Sequence, residues 1–465
     1  MTATSEPPRQ SFRIEMLWTD ARYRSTFLQI IAFILLMLAV GWLVDNTIRN
    51  LSELGKDFNF NFLFDTAAYD INQKLIEYSS QSPHWRAALV GILNTLLVAF
   101  MGCIACTVIG VLAGVLRLSK NWIVSSLMAV YVEGVRNVPV LLQILLWYAI
   151  FIETLPAPSA FRERGDAPPD ATLWFDAIAA TNRGFYVPRP LFETGSTVVV
   201  LVFLASVAGL WLFNRWRWDH QQRTGELLPE QYEKAGKAFA IPFALAMLSL
   251  FFPADFGTAS ALLGGLFAVA VGAGAGWLLW HFEVLSLRIA ILTVPAVIAF
   301  YAAGQPITMA YPELQGFNFT AGEGEAIHMR NSLMALWVAL SLYTAGFVAE
   351  IVRGGILAVP KGQTEAAAAL GLRPNRIMSL VILPQALRII IPPQISQYLN
   401  LTKNSSLAIA VGYMDATGTL GGITLNQTGR ELECILLLMA FYLLISLTIS
   451  ALINWYNETI KLKER

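Results

Sequence analysis

The chain has 465 residues, 56% of them hydrophobic and only 14% charged, and its mean hydropathy is +0.55. Soluble domains carry roughly 25% charged residues, so this composition excludes a string of soluble domains and points to a polytopic membrane protein. Lysine plus arginine (32) balance aspartate plus glutamate (32); no net field favours nucleic acid, and the informative quantity is where the charges fall.

Arg9, Arg13, Arg22 and Arg24 precede an apolar run from Thr26 to Val44. A cleaved signal would have a shorter apolar core and a small-residue cleavage site, so this run reads as an uncleaved first span. A hydrocarbon core of about 30 Å takes roughly 20 helical residues, and backbone groups in lipid must bond within their own segment. Apolar stretches therefore predict helical spans near 26–46, 88–117, 122–152, 196–214, 238–253, 258–281, 286–304, 331–356, 388–411 and 432–456. The fold expected is all-α and polytopic, with about ten transmembrane helices. Arg117 and Lys120, the cluster from Arg215 to Lys237, and Lys461, Lys463 and Arg465 mark cytoplasmic segments by the positive-inside rule. Both termini then lie in the cytoplasm, with 47–87, 153–195 and 305–330 outside.

Cys103 and Cys106 form a C-x-x-C inside an apolar run, where thiols pack as small groups. Gly110 with Gly114 and Gly272 with Gly276 are small-xxx-small pairs suited to close helix packing within one subunit. Glu133 with Arg136, and Glu350 with Arg353, are three apart and expected to pair along a helix face. "NLTKNSSLAIA" places Asn400, Thr402, Lys403, Asn404, Ser405 and Ser406 in an otherwise apolar span, a polar face that must line protein or water. Lys403 is read as the partner of a carboxylate, either a ligand's or that of Glu350. The four histidines are scattered through loops and span ends, so no metal, cofactor or nucleophile constellation emerges.

Residues 364–384, "TEAAAALGLRPNRIMSLVILP", read as two short helices between spans. Thr364 is expected to cap the first, Glu365 to sit in its first turn and Gly371 to end it in a left-handed conformation. Pro374 would open the second and Pro384 limit it. Each is far below the roughly 12–15 residues an isolated helix needs in water, so both must dock on something. Ala366, Ala369 and Leu370 would share one face.

On Glu365, Ala366, Ala367, Gly371, Leu383 and Pro384 this run resembles the EAA loop of ABC importer permeases, E-A-A-x3-G-x9-I-x-L-P, with Val381 where isoleucine is usual. Segments "GILNTLLVAFMGCIACTVIGVLAGVLRLSKNWIV", "YVEGVRNVPVLLQILLWY", "LYTAGFVAEIVRGGILAVPKGQTEAA" and "SQYLNLTKNSSLAIAVGY" look like permeases for polar amino acids, most closely the general L-amino acid type. The resemblance implies a five-helix type I importer core in two parts, 88–152 and 331–465, the second carrying a coupling loop at about 357–387. Residues 1–87 would hold the tail, first span and an outer loop, and 153–330 an insertion with about four peripheral spans.

The resemblance further implies a multi-pass protein of the bacterial inner membrane whose EAA loop docks on a separate ATPase. A homologous permease subunit, as a heterodimer, and a periplasmic amino-acid-binding protein complete the expected partners beside the lipid bilayer. The chain carries no G-x-x-x-x-G-K-[ST] loop, so it is expected to hydrolyse nothing itself. Arg136, Glu350, Thr402, Lys403, Asn404, Ser405 and Ser406 are the expected pathway residues. The alternative is a secondary amino-acid transporter driven by an ion gradient, a class that often shows inverted repeats; no repeat between the halves is visible here.

Overall fold

A computed structural model describes residues 18, 21–53, 58–162, 169–224, 229–251, 259–281, 283–322 and 324–460. The chain forms two compact units, one of Met1–Thr154 with Arg330–Arg465 and one of Leu155–Met329.

In the first unit, α1 (Ala21–Glu53) is followed by α2 (His84–Leu116), α3 (Trp122–Asn137) and α4 (Val140–Thr154). The return segment supplies α9 (Asn331–Leu357), α10 (Lys361–Ala369), α11 (Pro374–Ile377), α12 (Leu383–Asn404), α13 (Leu425–Thr428) and α14 (Glu431–Ile460). At the centre is α9, packed on α2, α3, α4 and α12. Its buried face is built from Ala335, Ala339, Ala345, Gly346, Ala349 and Gly355, small residues that let neighbouring backbones come close. Gly110 and Gly114 of α2 face Val348, Ala349 and Val352 of α9, so this small-xxx-small pair packs within the subunit.

The expected span 122–152 is not one straight helix. α3 and α4 meet at an angle of 105°. Pro139 explains the break: it restricts the preceding residue to extended backbone, and Val138 has φ −95°, ψ 129°. Asn121 caps the other end of α3, its side chain accepting from the backbone N–H of Ile123 and Val124 at 2.9 and 3.3 Å.

In the second unit, α5 (Ser196–Thr224), α6 (Glu230–Phe251), α7 (Ala259–His281) and α8 (Glu283–Ala302) are helical. Gly276 of α7 meets Ala244 of α6, so the later small-residue pair also serves packing inside its unit. The flanking segments, expected only as loops, contain short strands. β1 (Ala179–Thr181), β2 (Gly184–Val187) and β7 (Ile327–Met329) form an antiparallel sheet. β3 (Arg189–Phe192) pairs with β4 (Ile307–Ala310), and β5 (Leu314–Gln315) with β6 (Asn318–Phe319). Ala179, Tyr186, Phe319 and Ala326 form their small core.

Among the described residues, seven helices are long and apolar enough to cross a membrane, or eight if the bent pair α3–α4 counts as one span. Two further expected spans fall on α6 and α7, parts of whose neighbourhood lie outside the described residues.

Candidate functional site: the α10–α11 loop and the polar groups of the core

The loop between α9 and α12 is two short helices, as its sequence suggests, with different boundaries. α10 starts at Lys361, directly after Pro360, and no side chain caps it. Thr364 and Glu365 therefore lie inside the helix, because the extended Pro360 already sets its start. The other end behaves as expected. Gly371 has φ +78°; its N–H donates to Ala368 O at 2.9 Å, and the Leu372 N–H donates to Ala367 O at 3.3 Å. These two bonds satisfy the last carbonyls of α10 in a Schellman arrangement.

Pro384 does not end the second helix. The chain runs from α11 through a π-helical turn at Met378–Ile382 straight into α12. Pro384 occupies the first turn of α12, where its missing N–H costs little, and α12 continues through Pro392 and Pro393.

Only Ala367 of α10 is buried, whereas Glu365, Ala366, Ala368, Ala369 and Leu370 are exposed. Leu370 is 82% exposed, and Leu380 and Leu383 are also exposed. The loop thus exposes several apolar side chains together.

The charged groups of the core are arranged differently from expectation. Glu350 does pair with Arg353, at 3.2 Å, but its closest cation is Arg117 at the end of α2. Arg117 also reaches Glu133 of α3 at 3.7 Å, so Glu133 pairs with Arg117 and not with Arg136. Arg136 lies over the ring of Phe347, 5.1 Å from its centroid. One guanidinium thus ties α2, α3 and α9 together. Of the two partners considered for Lys403, Glu350 is held instead by two arginines, and Lys403 is exposed.

Nor do the polar residues of "NLTKNSS" form one face. Thr402 and Ser405 are buried, and they donate to Tyr398 O at 2.8 Å and Thr402 O at 2.7 Å, closing bonds within their own helical segment. Asn404 and Ser406 are half-buried. At Ser405 the α-helix tightens to a 3-10 helix that runs to Val411.

Sequence reasoning passed over a buried polar cluster just beyond. Asp415 is fully buried, and its Oδ1 accepts from the Gly418 N–H at 2.8 Å. The hydroxyls of Thr417 and Tyr442, 3.2 Å apart, stand beside the same carboxyl. Asn94 and Thr95 of α2 clamp this segment: Asn94 donates to Met414 O at 2.8 Å, and Thr95 Oγ1 accepts from the Ala416 N–H at 3.0 Å. One signal was available, since Asp415 is the sole acidic or basic residue between Lys403 and Arg430.

Burial pushes the Asp415 carboxyl up to about 7, against the opposing effect of its hydrogen bonds. A raised carboxyl favours the protonated native state, so this contribution to stability is full below the unfolded value near 4 and is lost as pH rises through about 7. Asp415→Asn should therefore unfold at a higher temperature than wild type at pH 8 and at about the same temperature at pH 4. Thermal unfolding in detergent across that range measures the difference, and parallel pH profiles for the two proteins would refute the assignment.

The long apolar helices, the α9-centred packing and the exposed two-helix loop define a helical integral membrane protein. Residues 106–462 match the family described as binding-protein-dependent transport system inner membrane component, and the chain belongs to that family. It is 48% identical, over the whole of both chains, to the glutamate/glutamine/aspartate/asparagine transport system permease protein BztB of Rhodobacter capsulatus. It is 40% identical to the general L-amino acid transport system permease protein AapQ of Rhizobium johnstonii, over 98% of this chain and 96% of that one. The putative amino-acid ABC transporter permease protein YhdX of Escherichia coli is 36% identical over 98% and 99% of the two chains.

Proposed function

We propose that the chain is the permease subunit of an ATP-driven importer of polar L-amino acids in the bacterial inner membrane, coupled to separate ATPase subunits through α10 and α11. The observation that carries this reading is the exposed apolar tip of Ala366, Ala368, Ala369 and Leu370, held by the Gly371 turn at the positions of the EAA resemblance. The names of its full-length relatives support amino acids, acidic ones and their amides among them, as cargo. A homologous permease partner and a periplasmic binding protein complete the assembly, with both termini in the cytoplasm.

Closure of the ATPase pair would push on α10. Because the loop continues without interruption into α12, that push would pass along α12 to Thr402, Lys403, Asn404, Ser405 and Ser406. Glu350 and Arg136, on the helices that Arg117 ties together, would tilt with them. The exposed ammonium of Lys403 offers a partner for the carboxylate every amino acid carries. ATP binding does work here only by favouring one of two states of the core, through its different affinity for them.

The test is gentle purification of the tagged chain from its native membrane, mass spectrometry of what comes with it, and uptake of labelled glutamate and glutamine into proteoliposomes. A P-loop ATPase in stoichiometric amount, with uptake that needs ATP, is the expected result. Uptake driven by an ion gradient in the absence of any ATPase would replace this reading with a secondary carrier.

A further inference from the structure

The end of α5 carries "NRWRWDHQQR", residues 214–223, immediately after a long apolar run. Charged groups at the end of a membrane helix ordinarily reach for water or for an acid. Two arginines here, each half-buried, find no acid among the described residues. Arg217 and Arg288, at the start of α8, are both half-buried, and Arg288 lies within electrostatic reach of Arg217. Among the described residues neither has a carboxylate within 4.0 Å; the nearby Glu230 is engaged by Lys234 at 2.7 Å. Arg288 is oriented by donating its Nε–H to Asn214 Oδ1 at 2.8 Å. Arg217 holds only a long contact from Nη1 to Gln221, 3.5 Å, while its Nε is buried without a hydrogen-bond partner, as is Nε2 of His220.

Two like charges brought together and partly desolvated are unfavourable unless an anion joins them. The surroundings say which kind. Trp216 stacks on His220 at 5.5 Å and lies 5.3 Å from Tyr232 of α6, while Trp211 and Trp218 are exposed. Indole rings at this position are the usual signature of the headgroup level of a bilayer. Leu201, Leu204 and Leu212 are exposed on α5, so the membrane-facing side of the helix is apolar up to the level of these indoles.

We propose that Arg217 and Arg288, framed by Trp216 and His220, bind the phosphate of an anionic membrane phospholipid. Guanidinium groups suit this ligand because each presents paired N–H donors to phosphate oxygens. Basic pockets between membrane helices bind anionic headgroups by the same chemistry. The site gives α5 and α8 a role of their own: they hold a lipid, and with it the leaflet, against the insertion.

Native mass spectrometry of the full-length chain in mild detergent, partly delipidated, tests this with phosphatidylglycerol, phosphatidylcholine and inorganic phosphate as probes. Wild type should retain phosphatidylglycerol in preference to phosphatidylcholine. The pair Arg217→Gln and Arg288→Gln should weaken that retention roughly 25-fold, about fivefold for each arginine. Arg217→Lys with Arg288→Lys should keep most of it, and Arg215→Gln, whose guanidinium lies over Trp211, should keep all of it. Equal retention of the two lipids by wild type would overturn the proposal, and so would unchanged retention in the double glutamine variant. Full displacement of the lipid by millimolar inorganic phosphate would reassign the site to a soluble anion and overturn the lipid reading. Should the glutamine pair fail to fold, the wild-type lipid preference and the lysine pair decide.

Discussion

Gly371→Asp is expected to reach the membrane in normal amounts, to lose its ATPase on purification, and to transport at roughly a thirtieth of the wild-type rate or less. The backbone there has φ +78°, where an L side chain costs about 1–2 kcal/mol and aspartate is among the better tolerated residues. A Cβ at Gly371 meets nothing within 4 Å, so the isolated chain has no clash to register. Any large effect must come from a surface that touches another protein. Residues at the centre of such contacts contribute on the order of 2 kcal/mol or more, which corresponds to about thirtyfold in affinity. The measurement is uptake in proteoliposomes beside the yield of co-purified ATPase. Normal uptake by this variant would remove the coupling role from the loop.

Gly110→Ala combined with Gly114→Ala should lower the thermal unfolding midpoint sharply and reduce the amount of protein in the membrane. At Gly110 an added Cβ would lie 2.6 Å from the Val348 Cβ and 2.9 Å from Ala345 O; at Gly114 it would lie 2.6 Å from Ala349 O. Two of these obstacles are backbone carbonyls, which no rotamer change can move. The helices α2 and α9 must separate, and overpacking of this kind costs about 1–3 kcal/mol per site. Gly134→Ala is the control, because nothing lies within 4 Å of its added Cβ and alanine is the better helix former. Equal midpoints for the double variant and the control would show that α2 and α9 do not pack as described.

Much of the α10–α11 loop was legible because its signals are local. Gly371 and Pro374 act on the backbone within a turn of themselves, and both do what their chemistry suggests. The readings that changed are those where another residue overruled a local preference. Thr364 is a good cap by type, yet Pro360 had already started the helix. Glu133 and Arg136 have the right spacing to pair, yet Arg117, from another helix, takes the acid. Lys403 has a charge that suits Glu350, but two arginines reach that carboxylate first. The bend at Pro139 is the opposite case, a local signal present in the sequence that the apolar length of 122–152 obscured.

The sequence by itself determined that this chain lives in a membrane, that it is helical, which family it resembles and where its two-helix loop lies. Composition, apolar length and turn chemistry carry those facts, and each is a property of residues close together in the chain. Tertiary structure alone decided that α9 is the hub, that Arg117 binds three helices, that Asp415 is buried against α2 and α14, and that Arg288 reaches Asn214 near Arg217. These depend on which helix faces which across hundreds of positions, and in lipid that choice rests on small-residue packing and a few polar contacts, which leave only faint periodic traces in a sequence that is apolar almost throughout.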